Sequence, residues 1–482
     1  MTQRDAIVIG GGIGGLQAAY TFSKAGLAPL LLESRGTTGG LVFGAPVGGV
    51  WVDLGAESFA KRSREVAALC AELGLETVDP AGGSWVWSHR LRPGSPEGAE
   101  PGHAIRIPHG VLGIPTDLDD PIVAEVLSPE GLARAREDLT MGAGPGADAA
   151  DLASLVEVRL GREVLDRLVD PIAGGVHSAH PSRLAVDVVS PGLREALAQE
   201  GSLVRAAAAV RASAPQGAVV SSASGGMFTL PRALAHRIEG NGGTVATRRV
   251  VTGIVRDGQT WSVTHYEAGR APNPADPPIP VGEPQIDTTT RLVVALDGRA
   301  ALTLLGSVES LSVSDWELPR GADLAQVCLV LADDRLDAGP RGSGLLVTPL
   351  DEGAPRRVRA KALTHYSIKW PRVVAGTGLH VLRVSYGRAG VPTPEPTMAD
   401  ALADASVLLG LELDPSSVAG HAVIHFPNSL PPQTPEHRVR VAEVTRRLAE
   451  EPGLAITGAW FAGTGLAAVI PHATRVAEEL AR

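Results

Sequence analysis

A knot of glycines close to the N-terminus constrains the fold of this chain more than any other stretch. In residues 6–26, AIVIGGGIGGLQAAYTFSKAG, an apolar run enters the pattern G-x-G-x-x-G and a small-residue helical pattern leaves it. The first glycine of such a pattern allows the tight turn out of a strand, the second lets a pyrophosphate approach the backbone, and the third lets the helix pack closely on the sheet. A glycine-rich turn without a ligand is the alternative. The glycines placed to contact a dinucleotide are Gly10, Gly11, Gly12, Gly14 and Gly15.

A second apolar run, APLLLES, follows the predicted helix and ends in Glu33, eighteen residues after Gly15. An acid at the end of the second strand accepts a hydrogen bond from a ribose hydroxyl. The same acid repels a 2′-phosphate, which disfavours NADP. The strand, the glycine turn, the helix and the acid-terminated second strand together predict a dinucleotide-binding unit.

The stretch after Glu33 indicates which dinucleotide binds. Two glycines follow six and seven residues after this acid, and the strand GVWVDLGAESF comes next. This E-x(5)-G-G pattern with a D-x-G-A strand resembles the glutathione-reductase-like FAD proteins, above all the superfamily of amine oxidases and protoporphyrinogen oxidases. The resemblance implies FAD, with the loop after the second strand lying over the flavin. The contacts that it implies are Ser34, Gly39, Gly40, Leu41, Gly55, Ala56, Glu57 and Ser58.

The same resemblance implies two further contributions to the FAD site. In the centre of the chain, Val251 matches the residue whose backbone meets the adenine. Further along the chain, Phe426 matches an aromatic residue that approaches the flavin. Near the C-terminus, a predicted strand leads through a glycine turn to a helix whose N-terminus faces the flavin, with contacts from Gly463, Gly465, Leu466 and Ala467. No cysteine of the sequence lies near either glycine turn, so FAD is expected to bind non-covalently.

Six further stretches carry a more specific resemblance. In chain order they are GAESFAKRSREVAALCAELGL, IPHGVLGIPTDL, LGREVLDRLVDPIAGGVHSAHPSRLAVDVVSP, SSASGGMFTLPRALA, KALTHYSIKWP and FPNSLPPQTPEHRVRV. They resemble the oxygen-dependent FAD oxidases of porphyrinogens, which are the protoporphyrinogen oxidases and their Gram-positive coproporphyrinogen III oxidase relatives. The resemblance implies a six-electron oxidation of coproporphyrinogen III to coproporphyrin III in haem biosynthesis, with O2 as acceptor and H2O2 as product. The chain departs from the family pattern at Ala185, Thr434 and Glu436, and in the turn after Gly463.

The resemblance places the chemistry on flavin N5 and implies no catalytic side chain. The substrate is an apolar macrocycle edged with propionates, so we expect an apolar pocket with cations at its rim. Arg62 matches a family arginine, and Lys369 lies in the K-W-P stretch. Trp85 and Trp87 alternate in SWVWS, so they share one strand face that is suited to stacking on a pyrrole. The alternatives are a solvated charge for Arg62, a surface role for Lys369 and core packing for the tryptophans.

Composition excludes several classes of function. The formal net charge of −10 argues against a nucleic-acid partner. The two cysteines, Cys70 and Cys328, exclude a disulfide scaffold and a thiolate metal site, and Cys70 has the helical apolar spacing of a core residue. The sequence contains no run of eighteen apolar residues, and its N-terminal residues are not expected to form a secretory signal. We therefore expect a cytoplasmic protein with at most loose peripheral membrane contact, which hands its product transiently to the next enzyme of the haem pathway.

These patterns and the resemblance predict an α/β fold. A glutathione-reductase-like Rossmann FAD-binding domain is expected to be joined to a mixed-sheet substrate domain and a helical domain. The proline-rich stretch 267–287 is expected to be a solvent loop, because proline cannot donate ladder hydrogen bonds. The predicted segments are 1–80, 222–300 and 437–482 for the FAD-binding domain, 81–114 and 301–436 for the substrate domain, and 115–221 for the helical domain.

Three other functions stay open at this point. Oxidation of protoporphyrinogen IX is the same chemistry on a substrate with two propionates instead of four. An amine or polyamine oxidase on the same scaffold predicts an aromatic cage at the flavin, which an aromatic content of 4% does not favour. A non-catalytic tetrapyrrole-binding protein that keeps FAD for structure is consistent with Thr434 and with the altered C-terminal turn.

Overall fold

The computed structural model of the chain describes residues 1–61, 63–89, 102–177, 180–213, 219–271, 276–318, 320–348, 358–388, 395–429 and 434–482. Its strands are β1 (Thr2–Gln3), β2 (Ala6–Ile9), β3 (Pro29–Leu32), β4 (Gly44–Val47), β5 (Val50–Asp53), β6 (Phe59–Ala60), β7 (Thr77–Val78), β8 (Ser84–Ser88), β9 (His103–Arg106), β10 (Gly110–Val111), β11 (Ile114–Pro115), β12 (Val220–Ala223), β13 (Thr244–Ala246), β14 (Arg249–Asp257), β15 (Thr260–Gly269), β16 (Ile279–Thr289), β17 (Leu292–Val294), β18 (Ala322–Leu331), β19 (Gly344–Val347), β20 (Ala362–His365), β21 (His380–Tyr386), β22 (Val418–Ser429) and β23 (Leu454–Ile456).

The helices are α1 (Ile13–Lys24), α2 (Arg64–Glu72), α3 (Pro121–Val126), α4 (Pro129–Arg136), α5 (Leu152–Leu160), α6 (Arg162–Val164), α7 (Gly175–His177), α8 (Val186–Val189), α9 (Leu193–Glu200), α10 (Leu203–Ser213), α11 (Thr229–Gly240), α12 (Gly298–Leu305), α13 (Tyr366–Lys369), α14 (Met398–Leu409), α15 (Pro435–Leu448), α16 (Ala459–Ala462) and α17 (Leu466–Ala481). A π-helix, Leu165–Gly174, joins α6 to α7. Short 3₁₀ turns lie at Glu137–Thr140, Pro181–Arg183, Glu309–Leu311, Asp334–Ala338, Pro371–Val374 and Pro415–Ser417.

A five-stranded parallel sheet with the order β13-β3-β2-β17-β23 forms the first layer. Every residue of β2 and β3 is buried, because both faces of this sheet are covered. On one face α1, α11 and α17 bury Leu16 and Ile470 against Val8 and Leu31. Cys70 is fully buried in the same cluster, as predicted, and burial raises the pKa of its thiol to about 11. The predicted α/β class is confirmed.

A four-stranded sheet with the order β1-β16-β15-β14 covers the other face of the parallel sheet through Trp261. The prediction of a solvent loop over 267–287 is wrong in part. Residues 267–269 belong to β15 and pair with residues 279–281 of β16. β16 is an edge strand there, since β1 pairs only with Asp287 and Thr288. Proline is tolerated on such an edge, and Pro284 lies where the register between β15 and β16 shifts.

A seven-stranded mixed sheet with the order β22-β18-β21-β20-β19-β8-β9 forms a second layer. Because side chains alternate along a strand, its two faces differ. One face carries Val327 and Leu329 and packs on α14. The other face carries Cys328 and Val330 and packs on the β4–β5 hairpin through Val52. This hairpin therefore joins the seven-stranded sheet to the first layer.

A helical part, built from α3 to α10 and the π-helix, has an apolar cluster of its own that includes Leu155 and Leu168. It also encloses an ion pair in which Arg159 Nε lies 2.5 Å from a carboxylate oxygen of Asp138, and neither side chain is exposed. In the part of the chain that the structure describes, no helix is both long and apolar enough to cross a membrane. The boundaries predicted for the three domains stay predictions.

Candidate active site

The glycine turn between β2 and α1 has the geometry that the sequence predicts. Gly10 has a φ of +104°, and a Cβ there would lie 2.5 Å from the Ala295 carbonyl oxygen. A Cβ at Gly15 would lie 1.9 Å from the Gly10 carbonyl oxygen, so α1 starts directly against the turn. At Gly12 a Cβ would meet no described atom within 4 Å. None of the described side chains caps α1, so the first N–H groups of this helix are available to a phosphate.

Glu33 closes the turn from the second strand. Its Oε2 accepts a hydrogen bond from the Gly11 N–H at 2.7 Å. Its Oε1 accepts from the Arg35 N–H at 2.7 Å and from the Ser34 hydroxyl at 3.3 Å. The carboxylate is therefore fixed by backbone donors beside the open space at Gly12, which is the position expected of an acid that holds a ribose.

The loop after β3 folds back onto the glycine turn. The Gly39 N–H donates to the Gly11 carbonyl at 2.8 Å. A Cβ at Gly40 would lie 3.2 Å from the Gly12 Cα, so the two backbones are in close approach. The next residue, Leu41, is 55% exposed. An exposed leucine beside backbone donors is suited to cover an apolar ring with polar edges, such as an isoalloxazine.

The centre of the chain reaches the same place through backbone hydrogen bonds. The Glu33 N–H donates to the Ala246 carbonyl at 2.9 Å, and the Arg249 N–H donates to the Glu33 carbonyl at 2.8 Å. These bonds set the start of β14 beside the acid-terminated strand. Val251, two residues further along β14, is half-buried and pairs with His265.

The C-terminal turn also packs against the N-terminal one. A Cβ at Gly14 would lie 3.1 Å from a methyl group of Val469, which belongs to α17. Within the described residues no side chain caps α17, whose N-cap residue is Gly465. Leu466 is buried and Ala467 is half-buried at the start of this helix. The structure thus brings together the start, the centre and the end of the chain, although contact with a cofactor stays a prediction.

A second loop, residues 55–58, lies on the backbone of the first. The Ala56 N–H donates to the Leu41 carbonyl at 2.8 Å, and the Gly55 N–H donates to the Phe43 carbonyl at 3.2 Å. A Cβ at Gly55 would lie 2.0 Å from the Leu41 carbonyl oxygen, so only glycine allows this approach. The ring of Phe426, on β22, lies 6.3 Å from the ring of Phe43. Phe426 therefore meets the loop that is predicted to cover the flavin.

A cluster of charges joins the 55–58 loop to the seven-stranded sheet. Lys369 Nζ lies 2.6 Å from Glu57 Oε1, and Arg383 Nη1 donates to Glu57 Oε2. Arg383 also donates to the Gly55 carbonyl at 2.7 Å and to Gln326 Oε1 at 3.0 Å. Burial acts to raise the pKa of Glu57, but the Lys369 ammonium and the Arg383 guanidinium outweigh it and hold the pKa below its ordinary value. Glu57 is therefore an anion shared by two cations.

Asp53 ends the strand before this loop and is fully buried. Its carboxylate accepts hydrogen bonds from the Met227 N–H at 2.9 Å, from the Phe228 N–H at 2.8 Å and from the Tyr366 hydroxyl at 2.8 Å. Burial raises the pKa of Asp53 to about 6, against the effect of these donors and of the Arg383 charge. We call this cluster the charged junction, and its members are Asp53, Glu57, Tyr366, Lys369 and Arg383.

Two other residues predicted to bind substrate, Trp85 and Trp87, lie away from the charged junction. Trp85 and Trp87 share one face of β8, as their alternation predicts, and this face joins the apolar cluster with α14. The guanidinium groups of Arg106 and Arg341 lie 5.4 and 4.9 Å from the ring of Trp85. Arg62 lies outside the described residues. Contact of these side chains with a tetrapyrrole stays a prediction.

Sequence reasoning missed four residues of this site, namely Asp53, Gln326, Tyr366 and Arg383. A signal exists for Arg383, because this arginine lies between the apolar pair Val381–Leu382 and Val384 in the strand HVLRVSY. Asp53 likewise ends the apolar strand VWVD. A charge in a buried strand needs a partner, but a single sequence does not show which residue that partner is.

Comparison with known families decides the class of this site. The model of the family described as flavin containing amine oxidoreductase matches residues 13–277, which is more than half of the chain. The chain belongs to this family. Membership implies a flavin cofactor. The open space at Gly12 with the start of α1, which we call the cradle, and the exposed Leu41 fit such a group.

The curated relatives match the chain over nearly its full length. The chain is 30% identical to the coproporphyrinogen III oxidase of Mycobacterium leprae, over 100% of this chain and 99% of the other. It is 23% identical to the coproporphyrinogen III oxidase of Bacillus subtilis, over 96% and 95% of the two chains. A solved structure from Exiguobacterium sp. 255-15, assigned as a protoporphyrinogen oxidase, has a TM-score of 0.79 at 21% identity and covers 100% of this chain and 98% of that one. The predicted resemblance to the porphyrinogen oxidases and the predicted fold are confirmed.

Proposed function

We propose that this protein is an FAD-dependent oxidase that converts coproporphyrinogen III to coproporphyrin III in haem biosynthesis. The observation that carries the proposal is the open cradle at Gly12, on which three distant segments converge in a chain similar over its full length to coproporphyrinogen III oxidases. The reaction removes six electrons and six protons from the substrate in three two-electron steps, and three O2 take them up to give three H2O2. In this proposal the protein acts in the cytoplasm and hands its product to the next enzyme of the pathway.

We assign different parts of FAD to different residues of the site. We assign the pyrophosphate to Gly12 and the start of α1, the ribose to Glu33 and the adenine to the backbone at Val251. We assign the isoalloxazine to Leu41, the 55–58 loop and the N-terminus of α17, whose dipole favours negative charge. Bound FAD supplies the hydride acceptor and the centre that reacts with O2.

The state of both cysteines supports non-covalent binding of FAD. Burial raises the pKa of Cys70 to about 11. Burial likewise raises the pKa of Cys328 to about 12, although the charge of Arg383 opposes this effect. Thiols that stay protonated at neutral pH are poor nucleophiles, so neither side chain is suited to form a link to the flavin.

The macrocycle is assigned to the face of the seven-stranded sheet that meets the 55–58 loop. Leu324, Ile424 and Phe426 lie on this face of β18 and β22 and are half-buried. A half-exposed apolar surface beside the flavin loop suits a flat apolar substrate. Lys369 and Arg62 are the cations that we assign to its propionates, which an ammonium or a guanidinium binds by charge-assisted hydrogen bonds.

The proposal is tested in two steps on the purified protein. An absorbance spectrum should show bound flavin, and acid denaturation should release it as FAD. Coproporphyrinogen III is then added without oxygen, and we expect porphyrin fluorescence and H2O2 to appear only when air is admitted. The value of kcat/KM should be higher for coproporphyrinogen III than for protoporphyrinogen IX.

Each alternative has its own outcome in these assays. An equal or reversed preference between the two porphyrinogens favours protoporphyrinogen oxidation. Release of H2O2 with a panel of amines, and no porphyrin fluorescence, favours an amine oxidase. Bound FAD without fluorescence on either porphyrinogen favours a non-catalytic binding protein. A colourless protein that takes up no added FAD contradicts the proposal at its root.

A further inference from the structure

We propose that Arg383 and Glu57 set the reduction potential of the bound flavin, with Arg383 acting as a positioning residue that fixes both charges beside the 55–58 loop. This inference rests on the proposed function, because it requires FAD in the cradle. It gives the charged junction a role beyond holding two layers of the molecule together.

Arg383 is held in one orientation by three acceptors, one on β18 and two on the 55–58 loop. Its Nε donates to Gln326, its Nη1 to Glu57 and its Nη2 to the Gly55 carbonyl. A planar guanidinium that uses all three nitrogens cannot rotate without losing at least one of these bonds. The side chain starts from β21, which lies inside the seven-stranded sheet between β18 and β20. The fold therefore fixes the position of this cation relative to the loop.

The loop that Arg383 contacts is the one assigned to the flavin. Gly55, whose carbonyl accepts from Arg383, is itself bonded to the backbone that runs from Leu41 to Phe43. Glu57 follows two residues later in the same loop and presents its carboxylate to Arg383 and Lys369. A fixed cation and a fixed anion thus lie at the edge of the surface on which we place the isoalloxazine.

Charges in this position act on flavin reduction because water screens them weakly. The side chains of Arg383 and Glu57 are 5% and 14% exposed. Reduction by two electrons increases the negative charge on the flavin, so a nearby cation favours the reduced form and a nearby anion favours the oxidised form. The two residues are therefore expected to act with opposite sign. If this ion pair only held the 55–58 loop in place, its loss would change the affinity for FAD. It would then cause no shift in reduction potential that depends on the sign of the charge removed.

The test compares R383Q, R383K and E57Q with the wild-type holoenzyme by following flavin absorbance against a reference dye during anaerobic reduction. R383Q should shift the two-electron reduction equilibrium at least tenfold toward oxidised flavin, a fall of about 30 mV. E57Q should shift it at least threefold in the opposite direction. R383K keeps the charge and should stay within threefold of the wild type. R335Q, in which the exposed partner of Asp333 is changed, is the matched control and should leave the potential unchanged.

Shifts of the same sign in R383Q and E57Q, or an unshifted R383Q that still binds FAD, overturn the inference. If R383Q does not retain FAD, the other two variants test the inference. The reduction potential of the flavin must then rise in E57Q and remain that of the wild type in R383K. Failure of the proposed function is seen separately in the wild type, as absence of flavin or of coproporphyrinogen oxidation. An active wild type with unshifted variants rejects only the role of the charges.

Discussion

Arg159 in the helical part and Arg383 at the charged junction are both buried arginines that pair with a carboxylate. The described partners of Arg159 all lie within 42 residues of it along the chain, since it pairs with Asp138 and donates to the carbonyls of Gly142, Pro145 and Gly201. This ion pair therefore connects residues of the helical part only. We interpret it as an interaction that stabilises the fold.

The junction uses the same chemistry over a much longer distance in the chain. Glu57 lies 326 residues before Arg383 and 312 residues before Lys369. Asp53 accepts from Tyr366, which lies on the same short helix as Lys369. These pairs connect the loop assigned to the flavin with the sheet assigned to the substrate. An ion pair within one region is thus expected to affect stability above all, whereas one between two regions is expected to affect function.

The largest effect on stability is expected for Arg159→Met. It leaves Asp138 buried without its counter-charge, and loss of one partner of a buried pair typically lowers the free energy of unfolding by about 3–5 kcal/mol. Arg162→Met, which changes a mostly exposed arginine paired with Asp166, should stay within about 0.5 kcal/mol of the wild type. Urea unfolding followed by circular dichroism measures both variants. Equal losses would remove the distinction between the enclosed pair and a surface pair.

The next effect is a dependence on pH through Asp53. Because its pKa is raised to about 6, the folded protein binds a proton between about pH 4 and pH 6 that the unfolded chain has released. The contribution of Asp53 to the free energy of unfolding therefore falls by about 1–3 kcal/mol as pH rises through this window. Asp53→Asn should remove this slope, which is measured as the difference between the urea-unfolding curves of wild type and variant.

Asp79 provides a control of opposite sign for Asp53. Hydrogen bonds from Ser221 and Lys61 hold the pKa of Asp79 below its ordinary value. Its contribution to stability is therefore present above about pH 4 and is lost as pH falls further. The free energy of unfolding of the wild type minus that of Asp79→Asn should decrease toward acid pH. The same difference for Asp53→Asn should decrease toward neutral pH. Slopes of the same sign would contradict the charge states that we assign to the junction.

Within the charged junction, a small effect on stability is expected for Lys369→Met. Glu57 keeps Arg383 as a partner, and the Lys369 side chain is 20% exposed, so the free energy of unfolding should fall by no more than about 1 kcal/mol. The flavin reduction equilibrium should still move severalfold toward the oxidised form, in the direction expected for R383Q and by less. The dye titration and urea unfolding measure the two quantities. A loss of stability as large as that of Arg159→Met would contradict the contrast between the two pairs.

Local patterns were sufficient to predict the cradle. Glycine spacing and uninterrupted apolar runs are properties of consecutive residues, and β2, α1 and β3 form where these patterns place them. The junction escaped prediction because its partners are far apart in the chain, and a sequence does not show which loop meets which sheet. Alternation showed that Trp85 and Trp87 share a face, but not that this face packs on α14. The prolines of 267–287 led to the wrong prediction of a loop. A strand tolerates proline where it lies at the edge of a sheet, and a sequence does not show which strand lies at the edge.

The most direct test of the account is the affinity of Gly12→Ala for FAD, compared with that of Gly240→Ala. At both glycines a Cβ would meet no described atom within 4 Å, so neither substitution should disturb the fold. Gly240 ends α11, whereas Gly12 lies where the pyrophosphate is expected to approach the backbone. Titration of the apoproteins, followed by flavin fluorescence, should show FAD binding at least tenfold weaker for Gly12→Ala and unchanged for Gly240→Ala. Equal binding of FAD by Gly12→Ala and the wild type would contradict the central claim that this turn is the cradle of the cofactor.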